Sequence, residues 1–281
     1  MKKKLISLLK TVLIFALTFT IVNELLGQLV MRFVFPSLDL SWRVGIGSFG
    51  MPLALLAAIF AAYKCGSFDQ AKAIFLRPNY MVVMYAFLIG IGMSLICIGI
   101  SSLNYKYIFI LREWSHRDVA TLFSIVAGSI FEEICYRFLL TIIFFWIFRW
   151  LPIAVLLQAT WFSLQHSAFN QTGNIVIFSY FFSAALLFAI TYIRFQSLWV
   201  AIALHAGLNT AIIFLYGGPQ NYGQKIISEY HGRDEPVMIA LTLIASLVLL
   251  WQLRNRQINL FSLDFLGKQE GRFHGAQQFT R

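Results

Sequence analysis

Three short stretches of this chain place proton-transferring groups where long apolar helices are expected. Phe131-Glu132-Glu133-Ile134-Cys135-Tyr136-Arg137 carries two adjacent carboxylates and a guanidinium. Phe162-Ser163-Leu164-Gln165-His166 ends on an imidazole, and His205-Ala206-Gly207-Leu208-Asn209 sets an imidazole and an amide four residues apart. On a helix Glu133 and Arg137 lie one above the other in the favourable acid-before-base order, and they read as a structural ion pair. Glu132 is offset from that stripe by about 100° and has no local partner, which leaves its carboxylate available for chemistry. His205 and Asn209 share a helix face, as do Phe162 and His166.

A buried carboxylate can take a proton from water and return it to a leaving amine. A nearby imidazole can orient the same water or share its proton. Histidine and asparagine donors aimed at a carbonyl oxygen stabilise the oxyanion that forms as the water adds. Two histidines and a glutamate also match a catalytic zinc with an open fourth position, which would use Glu132, His166 and His205. The sequence has no HExxH helix, so the familiar zinc-peptidase arrangement is absent. Either route hydrolyses a peptide bond. No serine or cysteine stands at a spacing that suggests a covalent nucleophile beside these groups. The blander reading makes them interhelical hydrogen-bonding groups and a folding clamp. It explains one such residue more easily than five on three helices.

The elements that must position these groups are membrane helices. Hydrophobic residues make up 59% of the 281 and charged residues only 12%, about half the usual soluble share of 25%. Mean hydropathy is +0.74. Apolar runs are expected to span the bilayer at about 11–34, 44–63, 80–101, 119–147, 152–169, 174–193, 198–216 and 236–253, each near the length of about 20 residues that a hydrocarbon core requires. Of the 22 Lys and Arg, thirteen then fall in cytoplasmic segments and seven outside, so both termini are expected inside. The net charge of +10 therefore reports topology rather than a nucleic-acid partner. Lys2-Lys3-Lys4 followed by an apolar run towards Phe35 exceeds a signal-peptide core and reads as a retained first helix. The apolar and aromatic loop near 102–118 is expected to lie in the interface as a short helix. Cys65, Cys97 and Cys135 lack any paired spacing, so neither a disulfide framework nor a zinc knuckle is expected.

An ionisable side chain at bilayer depth costs on the order of 2.5–3.5 kcal/mol, so each one in a span needs a reason. Besides the residues already named, these are Lys10, which can snorkel to the headgroups, and Glu24 beside Asn23, which could pair with a base. His116, His231 and His274 fall in loops or the tail.

Taken together and in order, Glu132-Glu133-x-x-x-Arg137, Phe162-x-x-x-His166 and His205-x-x-x-Asn209 resemble the CPBP family of CAAX proteases and bacteriocin-processing proteins. Ser197-Leu198-Trp199 ahead of His205 is also similar to that family's approach to its third motif. The resemblance covers about residues 118–212. It implies an all-α intramembrane endopeptidase in which Glu132 and His166 activate a water, His205 and Asn209 stabilise the oxyanion, and Glu133 and Arg137 support the site. A metal-free mechanism is favoured, since Asn209 suits an oxyanion site better than zinc ligation; zinc on Glu132, His166 and His205 is the alternative.

The expected architecture is thus a polytopic bundle of about eight transmembrane helices with no soluble domain. N-terminal helices and the interfacial loop would occupy 1–117, a catalytic core 118–216, and a last helix with a cytoplasmic tail 217–281. The partners are the lipid bilayer and a peptide or protein substrate, lipidated or membrane-embedded, in a bacterial plasma membrane. Two other functions fit the same fold. A non-catalytic scaffold or immunity protein could keep it, though such a protein has no need of the full polar set. A proton-coupled transporter would use the buried Glu and His as a relay, but the two halves show no repeat of the polar pattern.

Overall fold

The structure is a computed structural model that describes residues 14, 17–22, 25, 40–64, 79–103, 107–109, 116–169, 175–216, 226–228 and 235–254. Nearly all of them are helical. α1 (Leu40–Gly47) and α2 (Gly50–Lys64) are separated by a two-residue turn; α3 is Tyr80–Ser101. α4 (His116–Glu132) passes without a break into a π-helical segment (Glu133–Leu140) and then α5 (Thr141–Phe148). α6 (Leu151–Phe169), α7 (Ile175–Phe195), α8 (Leu198–Tyr216) and α9 (Glu235–Arg254) follow. Four stretches, Trp42–Lys64, Tyr80–Ser101, Ile175–Phe195 and Glu235–Leu253, are long and apolar enough to cross a membrane by length and composition, and Leu198–Ile212 is a shorter apolar helix. Their hydrophobicity is not all turned inward: Ile244, Leu247 and Trp251 of α9 are exposed, as expected of side chains that face lipid. The chain is an integral membrane protein.

Local chemistry sets the helix ends. Asn79 caps α3, its side-chain oxygen accepting from the backbone N–H of Met81 at 3.1 Å and of Val82 at 3.4 Å. Arg149 and Gln196 take the left-handed conformation (φ 54° and 52°), so α5–α6 and α7–α8 are joined by turns too tight to leave a loop.

α7 and α8 form the centre. Leu198, Ala201 and Ile202 of α8 pack with Ile59 of α2, Phe138 of the π segment, Phe145 of α5 and Tyr192 of α7 in one core. Leu204 and Leu208 of α8 pack with Ala86 of α3, Phe188 of α7 and Met238 of α9 in another. α3 and α8 meet backbone to backbone. A Cβ on Gly207 would fall onto the carbonyl oxygen of Phe87, and one on Gly90 onto that of Leu204. Ser94 Oγ also donates to the Leu208 carbonyl at 3.0 Å. The wall behind His205 and Asn209 is therefore a neighbouring helix's main chain.

One expectation needs correction. The loop near 102–118 does not form the expected interfacial helix at its centre: Tyr107–Phe109 is a strand, paired antiparallel with Ile226–Ser228, with Ile108 opposite Ile227. Tyr, Ile and Phe favour strands, and their partner lies far along the sequence, where local patterning cannot reveal it. Among the described residues the fold is thus helical apart from one short ladder. The fourth expected span is continuous but carries the π segment, which no spacing argument anticipated. Of the first expected span, residues 17–22 are helical and Phe19 packs on the core; Lys10 and Glu24 lie outside the described residues.

Candidate active site

The π segment begins at the two glutamates. Its turns close by i→i+5 bonds, and π-helical insertions recur at functional sites because they re-aim side chains. Thr141 ends the segment, its hydroxyl donating to the Tyr136 carbonyl at 3.1 Å. The junction sends the adjacent carboxylates to opposite nitrogens of one imidazole, His205, and otherwise to different partners.

Glu133 and Arg137 are both fully buried, with Arg137 Nε 3.2 Å from Glu133 Oε2. The contact is an ion pair by distance but lacks hydrogen-bond alignment. Arg137 Nη1 donates to Gln158 Oε1 of α6 at 3.4 Å, and its guanidinium carbon lies 4.5 Å from the Phe162 ring centroid and 5.3 Å from that of Phe188. Arg137 Nη2 and Gln158 Nε2 have no hydrogen-bond partner among the described residues. The other Glu133 oxygen, Oε1, reaches across to α8 and accepts from His205 Nδ1 at 2.9 Å. So the expected ion pair forms, and it also holds a histidine.

Glu132 faces elsewhere. Its Oε2 lies 3.7 Å from His166 Nε2 and 3.8 Å from His205 Nε2. Carboxylate and imidazoles come from α4, α6 and α8. Glu132 and His166 are partly open, with 29% and 26% of their side chains exposed, whereas His205 is closed in at 4%. The partners of each imidazole define its tautomer. His166 Nδ1 is 2.8 Å from the Phe162 carbonyl oxygen and His205 Nδ1 is 2.9 Å from a carboxylate oxygen; both partners accept, so both Nδ1 atoms carry protons. Each Nε2 is then the ring atom left for chemistry, and both point at Glu132. Separations of 3.7–3.8 Å are too long for direct hydrogen bonds and suit a water held between the groups.

Asn209 stands one turn beyond His205 on the same face of α8, partly buried. Of the four site residues named from sequence, Glu132 has an oxygen within 4 Å of the Nε2 atoms of both His166 and His205, and Asn209 stands one helical turn from His205 on α8. Phe181, Phe188 and Gln158 escaped the sequence reading, whereas Phe162 was part of it. The His166 ring centroid lies 4.0 Å from that of Phe162 and 4.7 Å from that of Phe181, while the His205 ring stacks on Phe188 at 4.4 Å. Gln158 could have been found, since it lies one turn before Phe162 and two before His166 as another polar group at bilayer depth.

A metal would draw on Glu132, His166 and His205, whose Nδ1 atoms are already satisfied in the manner of metal-ligating histidines. Among the described residues no three His, Cys, Asp or Glu side chains are grouped so as to hold an ion.

Residues 115–211, about a third of the chain, match the family model described as Rce1-like type II CAAX prenyl endopeptidase. That is the CAAX-protease family to which the motifs pointed, and the matched stretch holds all three of them. No curated protein and no solved structure matches the chain.

Proposed function

We propose, taking the match of residues 115–211 to the CAAX prenyl endopeptidases as premise, that this chain is an intramembrane endopeptidase using a glutamate-activated water. One observation carries the reading: one carboxylate oxygen, Oε2, of the partly open Glu132 side chain faces the Nε2 atoms of two histidines from two other helices. In an apolar membrane protein that convergence has no packing rationale.

In this mechanism Glu132 takes a proton from water while the lone pair of His166 Nε2 holds the second hydrogen. The water oxygen bonds to the scissile carbonyl carbon, and the carbonyl oxygen becomes an oxyanion. Asn209 Nδ2–H donates to it. His205 joins as a donor only when it carries both ring protons, because Nδ1–H is already given to Glu133. The imidazolium then meets the developing negative charge, with Glu133 balancing its own. Collapse of the intermediate breaks the C–N bond, and Glu132 returns the proton to the leaving nitrogen. Arg137, Gln158 and Glu133 act behind the site as a buried brace. No step requires a metal. A zinc version would place the ion on Glu132, His166 and His205, where it would polarise the carbonyl and the water.

The substrate is a peptide or protein reaching the bilayer, and a lipidated C-terminal peptide is the form the family name points to. In this reading the chain makes eight spans in a bacterial plasma membrane with both termini cytoplasmic. Reconstituted protein is tested on internally quenched peptides ending in Cys-aliphatic-aliphatic-X, with and without a farnesyl group, and products are identified by mass spectrometry. A discrete new terminus supports the reading. No cleavage of either peptide, by protein that is folded, returns the choice to a scaffold or immunity role.

A further inference from the structure

α7 carries no member of the three motifs, yet it touches both histidines. Phe181 lies 4.7 Å from the His166 ring, and Phe188 stacks on the His205 ring at 4.4 Å with only 20° between planes. The two phenylalanines are seven residues apart, two turns along one face of α7. One helix thus presents one ring to each imidazole.

The two contacts have different surroundings. Phe188 is 1% exposed, inside the core formed with Leu204 and Leu208, and also lies against Arg137. Phe181 is only partly buried. Around His166, the centroid distances to Phe162 (4.0 Å), to Phe181 (4.7 Å) and between the two phenylalanines (6.2 Å) make nearly a right angle at the imidazole. Phe162 restrains the ring from its own helix and Phe181 from the next, so the plane is blocked in two directions. The Nδ1–H bond to the Phe162 carbonyl anchors one edge but leaves rotation about that bond open. His205 needs less help, since Glu133 holds its Nδ1 and the core encloses it.

We infer that Phe181 and Phe188 are positioning residues: α7 sets the planes of the two imidazoles so that both Nε2 atoms address Glu132, and Phe181 is the one on which the open histidine depends. The inference rests on the proposed hydrolytic reading. It places a requirement on a helix outside the motif set. Displacing a reacting group by about 1 Å can cost a hundredfold in rate.

The test uses full-length protein and the farnesylated quenched peptide. Phe181→Leu removes the ring while keeping an apolar side chain; Phe181→Tyr and Phe181→Trp restore a ring. Phe181→Leu should lower kcat about tenfold to a hundredfold with KM within about twofold. Both aromatic variants should recover most of that loss, and the thermal midpoint of all three should stay close to wild type. Phe188→Tyr and Phe188→Leu, read alongside their thermal midpoints, should show the same order. An unchanged kcat in Phe181→Leu overturns the inference. So does a raised KM at constant kcat, which would make Phe181 a substrate contact. Glu132→Gln run in parallel separates the two levels. If it cleaves normally the hydrolytic reading has failed; if it is dead while Phe181→Leu is fully active, only the inference has.

Discussion

Replacing Glu133 by glutamine removes one charge from a fully buried polar cluster and should harm folding before chemistry. Glu133 and Arg137 are both fully buried, 3.2 Å apart. Glutamine keeps the size, and its amide oxygen can still accept from His205 Nδ1, so the loss is concentrated on Arg137. That guanidinium would retain one long bond to Gln158 and its aromatic faces, with Nη2 already lacking a partner among the described residues. Breaking a buried pair by removing one partner costs about 3–5 kcal/mol. At about 2–4 °C per kcal/mol, Glu133→Gln should melt roughly 6–20 °C below wild type in detergent. The double variant Glu133→Gln/Arg137→Met leaves no buried charge behind and should regain at least half of that. Fluorescence-monitored melting of wild type, both singles and the double gives the coupling directly. A fall of under about 1 kcal/mol in Glu133→Gln, or a double variant that simply adds the two single losses, would refute the brace.

Other outcomes follow from the same geometry. Asn209→Ala should fold normally and lower kcat about 10²–10³-fold, the usual effect of removing one oxyanion donor; unchanged cleavage would take Asn209 out of the site. Gly207→Ala puts a methyl group onto the Phe87 carbonyl, and the forced separation of α3 and α8 should cost about 1–3 kcal/mol in a melting experiment. His166→Ala should lose cleavage with little change in thermal midpoint, since its side chain is partly open and holds no core contact as deep as that of His205. Purified protein should contain substoichiometric zinc by elemental analysis and keep its activity after chelation; one zinc per chain, with activity lost on removal and restored on return, would establish the metal route instead.

The legible part of the site was the part with local spacing. Glu133–Arg137 at four residues, and Glu132 set off from them, follow from helix geometry, and the π segment preserved that division although it was not foreseen. The Glu133–His205 bond was invisible because its partners are 72 positions apart and no periodicity links them. The same is true of Phe181 and Phe188: in a chain of 28 phenylalanines, two more on an apolar helix carry no signal until an imidazole is seen beside them. Gln158 was missed for a different reason: amides were weighed only beside an ionisable group, as Asn209 with His205 and Asn23 with Glu24, and an amide standing alone at bilayer depth, whose burial is also costly, was passed over. Helix positions were readable from apolar runs, whereas the Tyr107–Phe109 ladder depends on a pairing between distant loops.

The central claim is that Glu132, and not its neighbour, performs the hydrolysis. It is tested most directly by wild type and Glu132→Gln, reconstituted side by side in metal-free buffer, with peptide cleavage and thermal midpoint measured on the same preparations. An amide cannot take the proton from water, so Glu132→Gln should melt within a few degrees of wild type and cleave at least about 10²-fold more slowly. Equal cleavage by the two proteins would contradict the account.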